Sequence, residues 1–341
     1  MTQPLNRFWY VPLAMLTCAF LFSRCGGDKE TCAFEPETGN ITLNITIEQL
    51  QDSFIHIPSK KKLVDLLTRH PGVRDEIFLR SQFESDSAFV DALYKRLNHP
   101  SLDTLLLQTR EVFGNLSGLQ AEFEQAFKNV KYYYPDFTPP RVQTVVSGLA
   151  NDMMVTDSLI IVSLDYYLGR SAKYRPKIYQ YLLRKYDPND IVPSCMLIYG
   201  ISGRFSKTQT EDKTALADMI AYGKAFYFAK HMLPCTPDSV FLWYTPEEMK
   251  GSRDNEDLIW KRLVDSQVLF STNHKVKQDY LGERPVTIQV GEKCPGRIAQ
   301  WVGWRIVDKY AESHADMKLP DILNIDQAQQ LFKESSYKPK H

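Results

Sequence analysis

Pro295-Gly296-Arg297-Ile298-Ala299-Gln300-Trp301-Val302-Gly303-Trp304-Arg305-Ile306-Val307-Asp308-Lys309-Tyr310 is the densest stretch of this 341-residue chain. Its spacing predicts a helix opened by Pro-Gly. Arg297, Trp301, Trp304, Arg305 and Asp308 fall at i, i+4, i+7, i+8 and i+11 and share a face. Gly296, Gln300, Gly303, Val307 and Tyr310 line a neighbouring face, where Gly303 admits another backbone. Ile298, Val302 and Ile306 form a third stripe. A helix apolar nearly all round belongs inside a protein, so the second half of the chain is expected to pack around this one. Its two arginines then need carboxylates or aromatic faces. Two readings stand: a plain core helix with satisfied arginines, or one wall of a polar cleft.

Outward from that helix, the composition is ordinary for a globular protein, with 43% apolar and 24% charged residues. The 41 basic and 41 acidic residues cancel, so no basic excess points to nucleic acid. At the N-terminus, Arg7 precedes an apolar run over residues 8–22. That run is short for a span of about 20 residues and suits a signal peptide. Leu21-Phe22-Ser23-Arg24-Cys25 then resembles a bacterial lipoprotein signal, although Arg24 stands where such signals carry a small residue. The expected organisation is a signal peptide over 1–24, a lipidated Cys25 with a tether to residue 40, and one domain over 41–341. A lipid there anchors the protein stably to a membrane.

Along the body, Ile41, Leu43, Ile45 and Ile47 alternate with polar residues and predict a strand. Helical patterns cover 60–69, 72–80, 85–97, 101–113 and 117–132. Alternation over 141–147 and the apolar run 159–162 predict neighbouring strands of one small sheet. Further helices are expected over 174–186, 188–200, 210–232, 246–270 (weakened at Gly251-Ser252) and 321–335. The fold class is therefore α+β, a mostly helical single domain with a small sheet.

Candidate chemistry is sparse. No two of the seven histidines lie within five residues, so the His-Glu-x-x-His metal helix is absent. There is no Gly-x-Ser-x-Gly elbow and no phosphate-binding glycine loop. Cys195, Cys235 and Cys294 are odd in number and none is spaced as Cys-x-x-Cys, which argues against a zinc ribbon or a thioredoxin-type site. Cys195 is expected to pack, not attack. No catalytic residue, metal ligand or cofactor is expected. Gly223 is placed mid-helix at a cost of about 1 kcal/mol, which points to close packing or a cleft. Tyr222 and Lys224, with Arg297, Trp301, Trp304 and Arg305, form the candidate cleft or partner-binding surface.

Several long motifs carry a resemblance. They include Tyr132-Tyr133-Tyr134-Pro135, Ile160-Ile161-Val162-Ser163-Leu164-Asp165-Tyr166-Tyr167-Leu168-Gly169 and Met219-Ile220-Ala221-Tyr222-Gly223-Lys224. Tyr244-Thr245-Pro246-Glu247-Glu248, Asn255-Glu256-Asp257-Leu258-Ile259-Trp260 and the 295–310 helix continue the series. In this order they resemble the gliding-motility lipoprotein family GldB. The resemblance implies an envelope lipoprotein associated with gliding and type IX secretion, acting with other envelope proteins of that apparatus. The family in turn looks like a degenerate cousin of zincin metallopeptidases, with the fold but without the metal motif. A non-enzymatic partner-binding role is the expectation. An envelope hydrolase using Lys224, Tyr222 and nearby acids is the alternative, and a glycan-binding module is a third.

Overall fold

The computed structural model describes Cys32 and residues 36–339. The expected signal peptide and Cys25 lie outside these residues. Four short strands form one sheet in the order β1-β2-β4-β3: β1 (Ile47–Gln49), β2 (Arg141–Val145), β3 (Met153–Val155) and β4 (Leu159–Ser163). β1, β2 and β4 run parallel, with Val142 opposite Ile160 and Thr144 opposite Val162, as neighbouring strands over 141–147 and 159–162 predict. β3 closes the edge antiparallel to β4 and was not expected. It is only three residues long and half-buried, too short to show alternation. The strand expected from Ile41 pairs only over Ile47–Gln49, although side chains bury alternately from Ile45.

Successive side chains of a strand point to opposite faces, and here they feed two cores. Val142, Ile160 and Val162 enter the main core. Val145 and Ile161 enter a second core under α1 (Lys60–Arg69) and α2 (Asp86–Leu97), beside Leu63, Leu66, Phe89 and Leu93. Helices therefore cover both faces, as a mostly parallel sheet requires. α3 (Ser101–Phe113) and α4 (Ser117–Tyr133) follow the expected spans closely.

The second half is helical. It contains α5 (Ile191–Ile201), α6 (Ala215–Met232), α7 (Asp238–Leu242), α8 (Pro246–Asp254), α9 (Glu256–Asp265), α10 (His274–Leu281), α11 (Ile298–Ser313), α12 (Leu319–Leu323) and α13 (Ala328–Ser335). Local chemistry sets the limits. Thr214 Oγ1 accepts from Ala217 N and starts α6 five residues later than expected. Thr245 and Glu248 form a capping box with Pro246 at the first helical position of α8. The break between α8 and α9 falls at Asn255 and not at Gly251-Ser252. The Asn255 side chain donates to the Gly251 carbonyl at 2.8 Å and diverts the local hydrogen bonding.

Three expected helices are corrected. Over 174–186 only a 3-10 turn, Gln180–Lys185, forms. Pro176 keeps Arg175 out of the helical region and lacks an N–H of its own. Over 72–80 the chain makes a π turn, Val73–Ile77, before Leu79 turns left-handed at φ 54°. The 321–335 helix is split into α12 and α13. α7 and α10 are short and were not anticipated.

α11 lies at the centre, packed on α6, α13 and α10. Ile298 to Trp304, Ile306, Val307 and Tyr310 are all buried. Glycines let backbones meet there. A Cβ on Gly303 would lie 2.5 Å from the Met219 carbonyl carbon and nearer still to its oxygen. A Cβ on Gly223 would lie 2.8 Å from Trp304 N and nearer to the Gly303 carbonyl. Gly200 of α5 meets Ala225 of α6 in the same way, at 2.8 Å from its Cα. Arg297 does not share the Trp301 face. It sits just before α11 at φ 61°, because the chain at Gly296 squeezes past the Arg284 carbonyl and the helix starts only at Ile298.

A disulfide joins Cys32 to Cys235, 203 residues apart, just beyond the end of α6. The stretch 25–40, expected as a tether, is thus fastened to the body at Cys32. Cys195 and Cys294 are free and buried.

Candidate functional site

The six candidate residues do not line one cleft. Trp301 is 1% exposed and belongs to the core. Trp304 stacks on Phe226 at 5.3 Å and meets Phe241 edge-on. The Lys224 side chain points inward and its Nζ donates to three backbone carbonyls: Lys207 at 2.8 Å, Leu323 at 3.2 Å, and Ile325. Burial lowers its pKa to about 8, with Asp326 opposing the shift. Lys224 is therefore a clasp that holds the 205–209 loop and the 323–326 segment to α6. Lys207 N to Leu323 O and Gln209 N to Asp326 O extend the same seam. Arg305 pairs with Glu256 at 3.0 Å and Asp308 at 3.2 Å, beside Tyr337, whose hydroxyl donates to Glu256. Tyr222 is half-buried, and its hydroxyl feels the charges of Glu283 and Arg297.

Arg305 borders one opening with Glu256, Lys309 and Tyr337, and Arg297 leads to a separate recess under Trp243. The Arg297 guanidinium donates to the Leu242 carbonyl, lies 3.6 Å from Glu283, and stands 4.7 Å from the Trp243 ring centre. Lys185 Nζ stands 4.3 Å from the same ring and 2.5 Å from Glu283. Two cations thus contact one indole, an arrangement worth about 0.5–2 kcal/mol per contact. Trp243 is held left-handed at φ 50° between the end of α7 and the Thr245 cap, which aims its ring at these cations. Arg184 is anchored to Glu248 at 2.6 Å, the same carboxylate that accepts from Thr245 N. Arg284 reaches Asp279 at 2.9 Å while its buried Nε finds no partner among the described residues.

Above this group opens a cleft of about 420 Å³. Arg170, Arg184 and Asp190 stand on one wall; Ser239, Trp243 and Glu247 stand on the other. Its charge is set by burial. Desolvation lowers the pKa of Lys185, helped by Arg297 and opposed by Glu283. Desolvation raises Asp190 to about 7, against a hydrogen bond from Asp187 N. Glu122 of α4 is raised to about 7 by burial and by Asp190.

Neither free thiol lines this cleft, although Ser239 and Thr245 do. Burial raises the Cys195 thiol, and Cys294 is pushed up to about 12, so both thiols stay protonated at neutral pH. His231 and His314 each engage a carbonyl one turn back in their own helix. Among the described residues, no group of three or more His, Cys, Asp and Glu side chains is placed to hold a metal ion. Asp165, buried beside the sheet, accepts from Ser147 N at 3.0 Å and Leu149 N at 2.7 Å and holds the turn after β2.

Sequence reasoning missed Trp243, Arg184 and Lys185. One signal was available: residues 170–185 hold six cations and no carboxylate.

Fold and cleft define a helix-rich α+β protein with a cation-lined aromatic recess. The family model of the gliding motility protein GldB matches residues 31–339, and the chain belongs to that family. No curated protein and no solved structure matches the chain, and the likeness to zincins rests on sequence motifs alone.

Proposed function

We propose that the chain is a lipid-anchored protein of the bacterial envelope that works in gliding motility by holding a partner and not by catalysis. Residues 1–24 are its signal peptide, Cys25 carries the lipid, and the domain over 41–341 presents the cleft. Its partners are envelope proteins of the gliding and type IX secretion apparatus. The observation that carries this reading is Trp243 under Lys185 and Arg297 in an open cleft whose walls hold no thiol and no histidine. Such a floor suits recognition: aromatic and arginine side chains dominate the energetics of protein interfaces. Among the described residues no helix is long and apolar enough to cross a membrane.

Crosslinking in membranes followed by pull-down tests the reading. The full chain should retain a stoichiometric envelope partner, and Trp243→Ala with Arg184→Glu should lose it without loss of fold. Retention by that variant places the contact elsewhere and sinks the assignment of the cleft. Labelling with a palmitate analogue should vanish in Cys25→Ser, and equal labelling rejects that anchor.

The alternative is an envelope hydrolase on a degenerate metallopeptidase fold. It draws on Asp190, a cleft carboxyl raised to about 7 by burial, in the range of a general acid. Tight stoichiometric zinc, or turnover in a hydrolase screen that Asp190→Asn abolishes, would favour it.

A further inference from the structure

Residues 170–185 hold six cations and no carboxylate in a chain of zero net charge. Up to Gln180 they form a strap with no regular helix. Buried Pro176 pins it down, and Lys173 N donates to Gln108 of α3 at 3.1 Å. Tyr179 is 75% and Ile178 40% exposed, and Tyr179 stacks on Tyr181. At the strap's end, Arg184 and Lys185 are neutralised by Glu248 and Glu283. Among the described residues, no carboxylate pairs with Arg170, Lys173, Arg175 or Lys177. These cations lack a carboxylate, Lys173 standing 5.5 Å from the Tyr174 ring centre, and with an exposed isoleucine and tyrosine between them they suit a lipid headgroup layer. Aromatic side chains settle at that depth, and lysines meet anionic headgroups.

The place of the disulfide points the same way. Ser239 lies four residues after Cys235 and faces Gly169 and Arg170 across the cleft. Four residues reach at most about 14 Å, so the Cys32–Cys235 bond lies within that distance of the wall opposite the root of the strap. The next step rests on the proposal that Cys25 carries lipid. From Cys25 to Cys32 the chain reaches at most about 25 Å, which caps the distance of Cys235 from a bilayer holding that lipid.

We infer that the strap over residues 170–181 docks on an anionic lipid surface, with Ile178 and Tyr179 entering the headgroup layer and Lys173 and Lys177 meeting lipid phosphates. The tether supplies proximity and the strap supplies orientation. The recess around Trp243 is thereby held beside the membrane.

The test uses the full chain on vesicles of phosphatidylcholine alone or mixed with phosphatidylglycerol. Flotation reads the anchor. A polarity-sensitive dye on Tyr179→Cys, probed by acrylamide quenching, reads the strap. A dye on Phe270→Cys is the control. Leu269 bonds to Leu216 at the start of α6, and that helix carries the site about 27 Å from its Cys235 end. Flotation should be equal on both vesicles. Quenching at position 179, and not at 270, should fall about threefold on the anionic ones. High salt should restore it, because exposed charges are screened. Lys173→Glu with Lys177→Glu should lower the docked fraction by roughly fivefold per lysine. Equal quenching at position 179 on the two vesicles overturns the inference and leaves the strap to an acidic protein segment. Shielding that survives salt and charge reversal overturns it too. Failure to float on neutral vesicles overturns the lipid anchor instead, and the dye then scores the strap at raised lipid concentration.

Discussion

Replacing Gly303 with alanine puts a methyl carbon 2.5 Å from the Met219 carbonyl carbon, where two carbons normally sit about 3.5–4.0 Å apart. The obstacle is backbone, so no rotamer change relieves it and α6 must retreat from α11 by about 1 Å. A gap of that size forfeits a quarter to a half of the dispersion energy along the seam. Overpacking ordinarily costs about 1–3 kcal/mol, and a clash of backbone on backbone belongs at the upper end. Alanine returns about 1 kcal/mol through its better helix propensity. The net expectation is a loss of about 2 kcal/mol, or a fall of roughly 3 °C in Tm for a body of this size. Urea unfolding followed by tryptophan fluorescence and circular dichroism measures it. Gly251→Ala is the internal control: nothing lies within 4 Å of its Cβ, and the same substitution in α8 should stabilise by about 0.5–1 kcal/mol. Gly223→Ala opens the same seam, so the double variant should lose clearly less than the sum of the singles. A Gly303→Ala protein as stable as wild type, or strict additivity with Gly223→Ala, would refute the backbone contact.

Lys224→Met strands the Lys207 and Ile325 carbonyls, while the Leu323 carbonyl keeps Lys207 N, and should cost about 2–3 kcal/mol at neutral pH by urea titration. Its folded pKa of about 8 lies below the ordinary 10.5, so the unfolded chain holds more protons between those values. Wild type should therefore gain on the variant as pH climbs from 8 to 10.5, and a flat difference would contradict the burial. Glu122 moves the other way: its pKa is raised from 4.5 to about 7, so its contribution is present below 4.5 and is lost as pH rises through 7. Glu122→Gln should match wild type near pH 4.5 and exceed it at pH 8 in unfolding midpoint. Reduction of Cys32–Cys235, or Cys32→Ser with Cys235→Ser, should lower stability by up to about 5 kcal/mol, the chain-entropy limit for so long a loop, seen as a lower denaturation midpoint. Asp165→Asn should destabilise by about 1–3 kcal/mol, because a neutral amide caps Ser147 N and Leu149 N less well, measured by thermal melting.

Much of the architecture was legible because apolar spacing reports burial directly. The 295–310 stretch is apolar nearly all round and proves to be the central helix. Gly223 and Gly303 each signalled close approach. That they meet each other is a matter of how two helices cross, which spacing along one helix does not encode. Arg297 was assigned to a face it does not share, because its left-handed backbone is imposed by the Arg284 carbonyl on a passing loop. Lys224 read as a polar wall residue, since its partners are main-chain carbonyls whose position no side-chain pattern announces. The Cys32–Cys235 bond was not legible, because the two cysteines lie 203 residues apart and Cys32 falls in what reads as a tether. Trp243 stayed hidden between α7 and α8, where turn residues mask a ring held by cations from two distant loops.

The ammonium of Lys224 finds two of its three acceptors in residues 323 and 325, about a hundred residues further along the chain. Until that segment docks, α6 carries an under-satisfied charge on the side that must become its dry interior. Closing the body early would strand that charge, at a cost comparable to much of a domain's stability. An emerging polypeptide is thus kept open until residues 323–326 have docked, and a product cut short near residue 320 should be cleared by proteolysis rather than persist as a lookalike.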